Sequence, residues 1–85
     1  MKHHLQKVGE WKDLDVVSGA FRLMDTHGIP LDLIKDVLAE KGMLIAWDYF
    51  IHDARQAGWT DRTIIQKLKA LDLPEALVLA AMRDS

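Results

Sequence analysis

Asp48 and His52 stand four residues apart, which puts a carboxylate and an imidazole on one face of any helix that carries them. That pairing could offer two ligands to one metal ion. Two ligands do not make a site, and the spacing supplies no third, so a surface ion pair is the favoured reading. His3 and His4 are adjacent and do not form a rigid ligand pair. His27, beside Gly28, suits the end of a helix, where the dipole favours a cation. Ser18 and the terminal Ser85 suggest no Ser–His–acid constellation. Gly9, Gly19, Gly28, Gly42 and Gly58 are isolated, so no phosphate-cradling loop is formed. The chain has no cysteine, which excludes disulfides and thiolate metal sites. An 85-residue chain rarely encloses a preorganised pocket. The expectation is a protein that is not an enzyme, with no cofactor, no metal and no small-molecule substrate.

A second constellation points to binding. Ala54 precedes Gly58 by four residues, Thr60 follows as a natural N-cap, and Ile64 lies inside the next predicted helix. A small residue, a turn glycine and a β-branched residue in this order are what close packing of two helices around a tight corner requires. The run Gly58-Trp-Thr-Asp-Arg-Thr-Ile-Ile-Gln-Lys-Leu68 resembles the turn and recognition helix of bacterial and phage helix-turn-helix proteins. The resemblance implies that Thr60, Asp61, Arg62, Thr63, Gln66 and Lys67 face DNA. It departs from that pattern at Asp53, where an apolar residue usually packs. Between Ala54 and Lys69, Arg55, Arg62, Lys67 and Lys69 outnumber Asp61 alone, which suits phosphate.

Gly58-Trp59, the Thr60-capped helix that follows and a last helix rich in Ala and Leu are also similar to ubiquitin-associated three-helix domains, though the spacing after Leu68 is one residue short of that pattern. In them an apolar loop and the face of the last helix hold a partner. Independently of that resemblance, Trp59, Leu73, Leu77 and Met82 could form an apolar patch suited to a partner helix or a second copy. The leading reading is therefore a small protein acting through protein–protein contact, including self-association as a homodimer. The alternative is a nucleic-acid-binding regulator using a helix over 60–71.

Hydrophobic residues make up 49% of the chain, enough for a core without covalent staples. The net charge of −2 argues mildly against bulk electrostatic binding of nucleic acid. The first residues are polar and lack the apolar core of a secretion signal. The apolar run Ala76–Met82 is far too short to cross a bilayer. A cytoplasmic protein without a membrane partner is expected.

The elements that must position these residues read as helices throughout. Residues 1–12 lack a period and are expected to be a loose arm, followed by one helical domain over 13–85. Asp13 would cap a first helix in which Leu14, Val17, Phe21 and Met24 recur at helical spacing. Gly28 and Gly58 each open a similar unit: an apolar residue, Pro or Thr, then a short helix with Ile at +6 and Leu at +10. Met43–Trp47 is the one place where an extended segment could fit. Ala76–Met82 is apolar all round, as in a central helix or an oligomer interface. The predicted fold is all-α, a small orthogonal bundle of about five short helices with helix-turn-helix-like corners.

Overall fold

Lys12 and Asp13 both hold left-handed backbone, with φ of 49° and 66°, and they reverse the chain between two strands. The computed structural model describes residues 5–84. β1 (Gln6–Trp11) and β2 (Leu14–Ser18) run antiparallel, with Trp11 opposite Leu14 across this two-residue turn. Positive φ at both central residues gives the turn the twist that a tight hairpin needs. The register shifts between Lys7 and Gly9, so β1 carries a bulge at its start. Lys7 bridges the hairpin, its Nζ 2.6 Å from Glu10 Oε1 and 3.3 Å from Asp15 Oδ1. Glu10 and then Asp15 hold its ammonium above the ordinary lysine range.

Two compact units make up the chain, Met1–Ala46 and Trp47–Ser85. In the first, α1 (Ala20–His27) and α2 (Leu31–Glu40) connect β2 to β3 (Met43–Ile45), which lies parallel to β2. Parallel neighbours require such a crossover, because a tight turn cannot join them. The sheet order is β1-β2-β3. Val17 and Ile45, paired across β2 and β3, are both buried. Leu23, Ile34 and Leu38 bury the inner sides of the two helices. Gly28 ends α1 with φ 68°, its N–H donating to the Met24 carbonyl at 3.1 Å.

The second unit holds α3 (Trp47–Gln56), α4 (Asp61–Lys69) and α5 (Glu75–Asp84). Phe50, Ile51, Ala54, Ile64, Leu68 and Val78 are almost fully buried. Gly58 ends α3 with φ 93°. Its N–H reaches the Arg55 carbonyl at 3.0 Å, and the Trp59 N–H reaches the Ala54 carbonyl at 3.0 Å. This pair of bonds is a Schellman closure, which satisfies carbonyls that the helix end would otherwise leave open. Thr60 then caps α4, its Oγ1 accepting from the Thr63 N–H at 3.2 Å.

The all-α expectation is overturned: among the described residues a three-stranded mixed sheet accompanies five helices, so the protein is α/β and not a helical bundle. The segment expected to be a loose arm carries β1; residues 1–4 lie outside the described residues. The helix expected from Asp13 begins only at Ala20. Leu14 and Val17 belong to a strand, whereas Phe21 and Met24 belong to a helix. Their common spacing spans Gly19, whose φ of 99° breaks any continuous helix. The adjacent β-branched Val16 and Val17 favour the extended side of that break. β3 falls in the one stretch where an extended segment was allowed.

Candidate functional site

Arg55 ties the second unit together. Its Nε donates to Asp61 Oδ1 at 3.0 Å and its Nη2 to Asp61 Oδ2 at 3.3 Å, joining α3 to the first turn of α4. Its Nη1 donates to the Met82 carbonyl at 3.3 Å, in the last turn of α5. A guanidinium suits both contacts, since its planar fork matches a carboxylate and its charge suits a helix C-terminus. Arg55 and Asp61 therefore neutralise each other, and neither is available to a partner in the way their raw charges suggested.

What remains on the outside of α4 is basic. Arg62, Gln66, Lys67 and Lys69 are exposed, while Ile64 and Leu68 face inward. Arg62, Gln66 and Lys69 recur at helical spacing on one face. Among the described residues no ion pair engages Arg62, Lys67 or Lys69. Thr60 and Thr63 were expected to face DNA alongside them. Both are occupied in the cap, the Thr60 hydroxyl also donating to Thr63 Oγ1 at 3.0 Å.

α5 presents a different surface. Val78 and Ala81 are buried, three residues apart on its inner side. Leu79, at the middle of the helix, is 55% exposed, and Leu77 is 39% exposed. These two leucines are two positions apart, so they point to different sides of the helix. Glu75, Leu79 and Arg83 recur every four residues and share one face, all three exposed. The exposed Ala76 lies beside them.

Of the residues expected to form an apolar patch, Leu77 is exposed and Trp59, Leu73 and Met82 are half-buried. Trp59 is half-buried and meets Phe50 edge to face, with centroids 6.4 Å apart. Met82 is half-buried and its carbonyl receives Arg55. Leu73 is half-buried in the turn before α5, four residues ahead of Leu77. Leu79 was not singled out from sequence, because a helix apolar all round hides which side faces outward. The charged residues four positions to either side of it were the available signal.

Asp48 and His52 line a shallow depression of about 320 Å³ with Tyr49 and Asp84. Among the described residues no group of three or more His, Cys, Asp or Glu is placed to hold a metal ion. His3, His4 and Ser85 lie outside the described residues. Among the described residues no helix is long and apolar enough to cross a membrane.

No family model matches the chain, and no solved structure does. A stretch of 38 residues is 50% identical to the alanine–tRNA ligase of Francisella philomiragia. The match takes in 42% of this chain and 4% of that protein, so the chain corresponds to a small fraction of the curated relative it resembles.

Proposed function

We propose that this protein is not an enzyme and works by protein–protein contact through the outward side of α5. The observation that carries the reading is Leu79, a large apolar side chain left 55% exposed at the middle of a helix with ionic residues at both ends of the same face. A partner that covers this side chain removes apolar surface from water, which favours contact. Leu77 and Leu73 extend the apolar surface along a second side of the helix and its preceding turn. The reading includes the cytoplasmic setting expected from composition.

A photo-crosslinking residue at position 79 tests it, with one at the exposed Asp36 on α2 as the control. Protein adducts at position 79 that persist in high salt and exceed those at position 36 are expected. Equal labelling at both positions would end the reading.

A second reading, nucleic-acid binding through α4, is supported by the exposed Arg62, Gln66, Lys67 and Lys69. The name of the similar ligase adds tRNA to duplex DNA as a probe. Binding of this kind weakens steeply with salt, which separates it from the apolar reading.

A further inference from the structure

We infer that the partner of α5 is a second copy of this chain, the two helices laid antiparallel across a two-fold axis beside Leu79. The inference rests on the protein-contact reading and names its occupant. Glu75 stands four residues before Leu79 and Arg83 four residues after it, on the same exposed face. The eight intervening steps separate the two charges by about 12 Å along the helix, beyond the reach of an ion pair. One helix therefore cannot match its own charges.

A second α5 running antiparallel matches both. Glu75 of each copy then lies opposite Arg83 of the other, and the leucines meet at the axis. This is the self-complementary pattern that a two-fold interface demands. The positive end of each helix dipole also lies beside the negative end of its neighbour. Ala76 on the flank is small enough to let the backbones approach. A different protein would have to reproduce this arrangement, whereas the chain already carries it.

The expected dimer is weak. α5 has ten residues and is about 15 Å long, so a helix pair buries less than the roughly 1,600 Å² of a standard interface. A dissociation constant between about micromolar and millimolar follows.

The test is sedimentation velocity on the full chain as a concentration series, with Glu75→Arg and Arg83→Glu studied singly, combined in one chain, and mixed as two single variants. Each single variant opposes like charges across the axis and should weaken association about tenfold or more. The double variant exchanges the two charges and should recover it. Mixing the singles should produce a heterodimer tighter than either homodimer, because one copy then presents two arginines to two glutamates. Leu79→Lys should abolish association while circular dichroism shows the helices retained. A wild-type chain monomeric up to about 1 mM, or a dimer indifferent to all these changes, would overturn the inference. Monomeric wild type with strong crosslinks to other proteins at position 79 removes self-pairing and leaves the contact reading standing. Monomeric wild type without such crosslinks removes both.

Discussion

The Arg55 guanidinium meets the Asp61 carboxylate side by side, Nε to Oδ1 at 3.0 Å and Nη2 to Oδ2 at 3.3 Å, while its remaining nitrogen reaches the Met82 carbonyl. One side chain thus links α3, α4 and α5. The pair is partly exposed, so its contribution is screened and amounts to about 1 kcal/mol or less, with more from the carbonyl contact. Arg55→Ala is expected to lower stability by about 1–2 kcal/mol in chemical denaturation. Arg55→Lys should recover only part of that, because an ammonium cannot span both oxygens and the carbonyl.

Gly58 and Asp72 solve the same turn problem with opposite costs. Both are left-handed, with φ of 93° and 61°, and each follows a helix. A Cβ at Gly58 would meet nothing within 4 Å, so the penalty for Gly58→Ala is conformational, about 1–2 kcal/mol. Asp72 already bears that penalty in part. Asp72→Gly is expected to be neutral or stabilising by up to about 1 kcal/mol, read as a shift in denaturation midpoint.

Neighbouring positions on α5 should separate folding from contact. Leu79→Lys replaces an exposed side chain and adds an i,i+4 partner for Glu75, so stability should change by no more than about 0.5 kcal/mol. Val78→Ala removes buried methyl groups and should cost about 1–3 kcal/mol. Thermal unfolding of both variants checks this. A large loss from Leu79→Lys would mean that the leucine belongs to the core.

The nucleic-acid reading makes its own demand of α4. Arg62→Ala combined with Lys67→Ala should weaken binding to duplex DNA or tRNA and flatten its salt dependence. Thr63→Ala should instead act mainly on stability, since its hydroxyl accepts from the Thr60 hydroxyl that caps α4. Fluorescence anisotropy across a salt series decides. No binding to either probe at low salt would close this reading.

The sequence was legible where local chemistry decides structure. Gly58 at the end of α3, Thr60 capping α4 and Gly28 at the end of α1 can each be read from one residue's conformational or hydrogen-bonding preference. The hairpin could not. Its two-residue turn is Lys12-Asp13, lacking the Asn-Gly or Asp-Gly that marks such turns. Leu14 and Val17 also matched a helical period by coincidence, across a glycine that separates strand from helix. On the candidate surface, Arg62, Gln66 and Lys67 are exposed, but the sequence left open whether their helix faces outward, and charge alone could not reveal that Arg55 and Asp61 cancel. Nor could an apolar run reveal that Val78 turns inward while Leu79 turns out. Tertiary packing makes that choice, and its trace in the sequence is Glu75 and Arg83 four positions to either side of Leu79.

The central claim is that α5 works through its Leu79 face, and chemical-shift mapping tests it most directly. Amide spectra of the full chain, recorded from dilute to concentrated protein, should show progressive shifts centred on Glu75, Leu79 and Arg83. Arg62 and Lys67 should stay still. Shifts confined to another surface, or a spectrum unchanged up to about 1 mM with position 79 silent to crosslinking, would contradict it.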